Sequence, residues 1–274
     1  MKKLFVMTLL LVLGSWPMRA QDRMTVPFRD PSMPRQLVVD SMLGAIQVTG
    51  YNGQEVIVES TENTNGPGRL RSGKQTPVPP GMRRIGGNNA GLDVTEENNV
   101  VRISAAGWFR GGSDIKVQVP VQTSVRVKTM TGQQVRIENV NGEIEVENMN
   151  GEVNILNVSG SVVAHSANGK ITVSLNNAAI DKPMSFSTMN GDIDVTLPAA
   201  MKANLVMKTE SGEIFTDFDM QIDSAARAPK VEDKRGKGGP FRVRSDRATR
   251  ATINGGGPEI QFTSFHGNIL IHKK

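Results

Sequence analysis

Four glycines, Gly142, Gly151, Gly160 and Gly169, fall nine residues apart, and Gly132 stands ten before the first. Each of the four follows a small polar residue: Asn141, Asn150, Ser159 or Asn168. Apolar residues stand at the second and fourth places after each glycine: Ile144 and Val146, Val153 and Ile155, Val162 and Ala164, Ile171 and Val173. Another stands seven places after it, as Met149, Val158 and Ala167, and three places before each glycine is Asn139, Asn148, Asn157 or Ser166. A repeat of this kind constrains architecture more than composition does, because each unit must find its neighbours in its own copies.

Alternation of apolar and polar residues has period two, so each unit predicts a short strand with one buried face. The Asn-Gly and Ser-Gly pairs predict turns in which the glycine takes a positive φ. A single such strand cannot bury its apolar face alone, so stacked neighbours must complete a core. The inward set is Ile144, Val146, Val153, Ile155, Ile171, Val173, Ile193 and Val195, with Glu143, Glu145 and Glu147 facing outward.

The signature recurs more widely spaced, at Gly44-Ala-Ile, Gly191-Asp-Ile, Gly212-Glu-Ile and Gly267-Asn-Ile. The glycines at 132, 151, 169, 191 and 212 are 19, 18, 22 and 21 residues apart, with Gly142 and Gly160 midway. A coil of roughly twenty residues, with two strands and two corners, would give that spacing. The expected fold is therefore all-β, a β-solenoid of short strands. An up-and-down meander or antiparallel β-sandwich is the alternative, since hairpins use the same corners.

Met1–Ala20 reads as a secretory signal peptide: Lys2 and Lys3, an apolar run from Leu4 to Leu13, then Gly14, Ser15, Pro17 and Ala20. The run is too short to span a bilayer, and the expected mature chain starts near Gln21 with no transmembrane span. The chain has no Cys, which excludes disulfides and thiolate chemistry. Residues 36–274 read as one strand-repeat domain with two loop inserts, at about 63–91 and 224–240, where Gly, Pro or charge replaces the alternation. Within the rest, Asn98-Asn99 predicts a hairpin turn, Glu213–Met220 a strand pairing with the one before it, and Phe241–Asp246 a strand of the closing section.

These pieces together resemble the bacterial putative-adhesin family built of Ser/Asn-Gly-Asp/Glu-Ile β-strand repeats. The matching segments are Gly44-Ala-Ile-Gln-Val with Gly53-Gln-Glu-Val-Ile-Val, the strand ending Val119-Pro120, residues 129–175, Gly191-Asp-Ile-Asp-Val, Gly212-Glu-Ile, Asn254–Ile260 and His266–Ile271. The resemblance implies an exported β-helix-like fold with a cell-surface or adhesive role. It supplies no catalytic residue.

The residues themselves point away from catalysis. His165, His266 and His272 lack partners at zinc-ligand spacing, and no nucleophile-elbow sequence is present. The row Glu143, Glu145, Glu147 with Glu152 and Asp192 is the strongest enzymatic candidate. On a β-helix face it could hold a cation or act on polysaccharide, against the plainer reading of a solvated strand face. The expectation is a non-enzymatic protein without cofactor or metal, the alternative a polysaccharide-active or cation-dependent enzyme. The net charge of +5 hides an asymmetry: segments 63–91 and 227–250 carry +5 and +6, and the remaining mature chain −9. Basic inserts of this kind suit an anionic glycan, another cell-envelope component or a protein, against the plainer reading of solvated loops that fold back on the acidic body. Nucleic acid is not expected, because interleaved aromatics are missing. The candidate contact residues are Trp108, Phe109, Lys234, Arg235, Lys237, Arg242 and Arg244, and the structural turn glycines are Gly44, Gly132, Gly142, Gly151, Gly160, Gly169, Gly191, Gly212 and Gly267. The expected location is the periplasm, cell surface or extracellular space.

Overall fold

The structure is a computed structural model that describes residues 22–62, 91–106, 113–131, 134–177, 181–223, 230–233, 241–244 and 248–274. The expected leader, Trp108, Phe109, Gly132, Lys234, Arg235, Lys237 and most of both inserts lie outside these residues.

The strands in chain order are β1 Asp22–Pro27, β2 Gln36–Leu43, β3 Ile46–Tyr51, β4 Glu55–Glu62, β5 Gly91–Glu97, β6 Val100–Ala106, β7 Ser113–Pro120 and β8 Ser124–Thr131. The repeat region gives β9 Gln134–Glu138, β10 Ile144–Asn150, β11 Glu152–Val158, β12 Val162–Asn168, β13 Ile171–Leu175, β14 Met184–Asn190 and β15 Ile193–Leu197. Then come β16 Ala203–Ser211, β17 Ile214–Thr216, β18 Gln221–Ile222, β19 Lys230–Asp233, β20 Phe241–Arg244, β21 Thr249–Ile253, β22 Glu259–His266 and β23 Ile269–Lys273. No helix is present among the described residues.

Successive strands of the repeat alternate between two sheets, and each pairs in parallel with the strand one coil away. Val153 lies beside Ile171 and Val135, and Ile144 beside Val162 and Val125. Parallel pairing cannot arise from tight hairpins, so the fold is a β-solenoid and the antiparallel sandwich is excluded. The true repeat is the coil of two nine-residue units.

The coils do not stack in chain order. One sheet runs β1-β4-β7-β3-β9-β11-β13-β15-β23-β17, the other β18-β21-β16-β22-β14-β12-β10-β8-β2-β6-β5. The first coil, β2–β3, is thus inserted between β6–β7 and β8–β9, and the last, β22–β23, between β14–β15 and β16–β17. A coil at the end of a stack would leave an open face and an unpaired edge. Insertion gives both terminal coils neighbours on each side. Antiparallel strands close the flanks: β4 and β1 beyond β7, β5 beyond β6, and β21 with β18 beyond β16. Asn98 and Asn99, both at positive φ, make the β5–β6 turn as expected.

All eight residues assigned inward are buried, none above 2% exposed. Phe186 and Phe262 add a buried ring pair on adjacent strands, 5.3 Å between centroids. Two expected strands differ. Only Ile214–Thr216 of the 213–220 segment is a strand, and it pairs with β23, not β16. The segment beginning at Phe241 pairs antiparallel with β19 in a separate two-stranded sheet, so it belongs with the basic insert and not with the closing coil.

Candidate functional site: an apolar row on the outer face

The two corners of a coil are built differently, and this decides which side chains reach the surface. At one corner the glycine has a left-handed φ, as at Gly151 (φ 117) and Gly169 (φ 150). At the other, Gly142 and Gly160 do not. There it is Asn139 (φ 57) and Asn157 (φ 56) that adopt the left-handed conformation, which Asn tolerates better than most residues. This corrects the expectation that every corner glycine supplies positive φ. Gly142, Gly160 and Gly212 are required by close approach instead: a Cβ at Gly160 would stand 1.9 Å from the Gly142 carbonyl oxygen.

The left-handed Asn shifts the inward–outward phase by one residue. Val140 and Val158, two places before Gly142 and Gly160, are therefore buried. At the other corner the phase is kept, and the residue two places before the glycine faces solvent. Met149 and Ala167, grouped with Val158 by the nine-residue reading, belong to this second class, and Met149 is 47% exposed.

Parallel register brings these outward residues into line. Across β2, β8, β10, β12, β14, β22 and β16 the row reads Met42, Met130, Met149, Ala167, Met189, Phe265, Glu210; each neighbouring pair lies between matched pairs except Met130 and Met149, which follow the last matched pair of β8 and β10. Met130, Met149, Met189 and Phe265 are exposed, and they line an open groove of about 850 Å³. A row of polar residues forms one bank: Lys128, Glu147, His165, Ser187, Thr263 and Lys208. An asparagine ladder runs on the opposite side. Asn168 donates to the Asn150 carboxamide oxygen at 3.0 Å, and Asn190 to that of Asn168 at 2.7 Å. Beneath lies a buried hydroxyl and amide row of Ser41, Thr129, Asn148, Ser166, Thr188 and Ser264.

The charged groups of the bank are paired off. Lys128 meets Glu147 at 3.0 Å and Lys208 meets Glu210 at 2.9 Å, while His165 Nδ1 bonds the Ser187 hydroxyl. The hydrogen bond from Lys128 holds the Glu147 carboxyl below its usual pKa, against the opposing effect of partial burial. The same bond raises the Lys128 ammonium, and the Glu145 carboxylate raises the Arg126 guanidinium. The acidic row is therefore divided: Glu145 with Arg126 at 2.6 Å, Glu147 with Lys128, and Glu143 with Lys182. Asp192 accepts the Asn268 amide at 2.7 Å, and Glu152 is exposed on β11 in the opposite sheet. Glu143 and Glu145 line one pocket of about 500 Å³ with Arg35 and Arg126, and Glu147 lines the methionine groove. No group of three or more His, Cys, Asp or Glu suited to a metal converges among the described residues.

A family model described as Toastrack DUF4097 matches residues 99–239, just over half of the chain. The chain belongs to that Toastrack family. The match spans β6 through β19 and so takes in the repeat, the row from Met130 to Met189 and part of the second insert. It agrees with the resemblance read from the sequence at the level of a family of unknown function, and does not extend to the Ser/Asn-Gly-Asp/Glu-Ile signature. No curated protein matches the Toastrack chain. Among solved structures it is similar to a "putative cell adhesion protein" from Clostridium sporogenes ATCC 15579, at 10% identity and TM-score 0.44, covering 93% of this chain and 100% of that one. It is also similar to a "putative adhesin" from Bacteroides fragilis NCTC 9343, at 12% identity and TM-score 0.41, covering 95% and 100%.

Of the contact residues chosen from sequence, Trp108, Phe109, Lys234, Arg235 and Lys237 lie outside the described residues, and Arg242 and Arg244 lie on β20. The methionine row was overlooked, although a signal for it exists. Met42, Met130, Met149 and Met189 each stand two places before a glycine of the repeat.

Proposed function

We propose that this Toastrack protein is an exported, non-enzymatic, adhesin-like interaction protein of the cell envelope, and that the groove along Met130, Met149, Met189 and Phe265 is its contact face. The supporting observation is the exposed apolar row, aligned over successive coils. Exposed apolar surface rimmed by polar residues is the ordinary mark of an interaction site, and methionine adapts its shape to varied partners. Residues 1–20 act as the leader, and the basic segments 63–91 and 224–240 are excursions that add attraction for an anionic glycan, another envelope component or an acidic protein face.

The test is an array of purified envelope glycans, lipopolysaccharide and surface proteins, probed with the wild type, Met149→Glu/Met189→Glu, and a chain with both inserts shortened. Binding that falls with the groove variant supports the contact face. Loss of its salt-sensitive part on shortening the inserts supports their role. Undiminished binding by Met149→Glu/Met189→Glu would overturn the groove assignment, and release of sugar products from any arrayed polysaccharide would overturn the non-enzymatic reading. Intact mass after expression in a bacterial host checks the leader: a product starting near Gln21 is expected, and retention of residues 1–20 would reject it.

A further inference from the structure

We propose that Met42, Met130 and Met149 form a binding site for a soft monovalent cation, cuprous ion, on the outer face of the solenoid. Met42 lies between the matched pairs Ser41–Thr129 and Leu43–Thr131, which sets it opposite Met130. Met149 follows the pair Asn148–Thr129, which sets it beside Met130 on the other side, where the Asn150 carboxamide donates to the Met130 carbonyl oxygen at 3.2 Å. Three thioethers thus come from three successive parallel strands, spaced by about 4.8 Å. Methionine is unbranched with three rotatable bonds, so side chains at this spacing can turn their sulfurs toward one point.

The fold does not need methionine here. The same row position holds Ala167, Phe265 and Glu210 elsewhere in the stack. Met130 and Met149 are 39% and 47% exposed, so they contribute little to the core, while Met42 is half-buried. Beside them Ala167 leaves room above the sheet. The flanking Lys128 is matched by Glu147, so no uncompensated ammonium faces an incoming cation.

The donor set selects the ion. Thioether sulfur is neutral, soft and free of any proton that must leave on binding. Such ligands favour Cu(I) and disfavour Mg²⁺, Ca²⁺ and Zn²⁺, which prefer oxygen, nitrogen or thiolate. With no Cys in the chain, no thiolate competes with them. Thioethers lie outside the His, Cys and carboxylate patterns on which the expectation of no metal rested. The site stands independently of the interaction role proposed above, since ion binding needs no macromolecular partner.

The experiment is an anaerobic titration of the full chain against Cu(I) held by a coloured chelator, with ascorbate present. The wild type is expected to withdraw one equivalent. Met130→Leu/Met149→Leu, which keeps size and apolarity, is expected to bind at least about tenfold more weakly, while Met189→Leu retains wild-type withdrawal. Silver(I), a redox-inert stand-in, should shift the labelled methyl signals of Met42, Met130 and Met149 at one equivalent and leave that of Met189 in place. Failure of the wild type to withdraw Cu(I), withdrawal by the double variant equal to wild type, or a silver shift confined to other methionines would each overturn the site.

Discussion

The side-chain amide of Asn148 donates to the Gly151 carbonyl oxygen at 2.7 Å, and on the next strand the hydroxyl of its register partner Ser166 has no hydrogen-bond partner. Ser41 bonds the Leu43 carbonyl and Thr129 has no partner, but further along the sheet the hydroxyl reaches the corner glycine of the neighbouring coil. Thr188 donates to Gly169, Ser264 to Gly191 and Thr209 to Gly267, at 3.2, 3.2 and 3.0 Å. By that pattern Gly151 is the acceptor for Ser166, and Asn148 already uses it. Asn148→Thr should release it and remove the unpartnered Asn148 Oδ1. The variant is expected to unfold about 1 kcal/mol less readily, measured by denaturant unfolding. An unchanged or lowered midpoint would show that the competition has no energetic weight.

Gly160 and Gly255 separate two reasons for glycine. Gly160 lacks a left-handed φ but faces backbone oxygen at 1.9 Å from an added Cβ, while Gly255 has φ +84 and open space around it. Gly160→Ala must push two coils apart and should cost about 3 kcal/mol. Gly255→Ala carries only backbone strain, about 1 kcal/mol. Thermal unfolding of the two variants checks the order, and the reverse order would refute the close-approach argument.

The assigned faces are tested by Ile155 and Glu145. Ile155 is fully buried, and Ile155→Asp would place an unpaired carboxylate in the core at a cost of several kcal/mol. Glu145 is paired with Arg126 across exposed strands, and Glu145→Lys should cost under about 1 kcal/mol. Equal drops in Tm would show that inside and outside have been confused.

Acid should weaken the outer face slightly. Glu147 has a folded pKa below its unfolded value because Lys128 hydrogen-bonds its carboxylate. The stability it contributes is fully present above the unfolded carboxyl pKa, about 4.3, and is lost as pH falls through the lower folded value. Tm measured from neutral pH down through the carboxyl range should therefore fall more for wild type than for Glu147→Gln. Parallel curves would mean that the Lys128 pair carries no linkage.

What was legible in the sequence was local. Period-two alternation placed Ile144, Val146, Ile155 and Ile171 in the core, and the glycine spacing gave a two-strand coil, because both depend on neighbours a few residues away. Three features depended on the tertiary structure. Insertion of β2–β3 and β22–β23 into the stack is set by the need to cover open coil ends, which no spacing encodes. The two kinds of corner follow from whether Asn or Gly takes the left-handed φ: Asn148 and Asn157 hold the same place in the repeat, yet only Asn157 does so. The groove exists because parallel register lines up Met130, Met149, Met189 and Phe265, residues up to 135 positions apart in the chain, and the last of these joins the row only through the inserted terminal coil. Sequence alone determined which strand residues hide from water, though not which residues beside the corners do. Stacking order and corner phase decided which exposed ones meet.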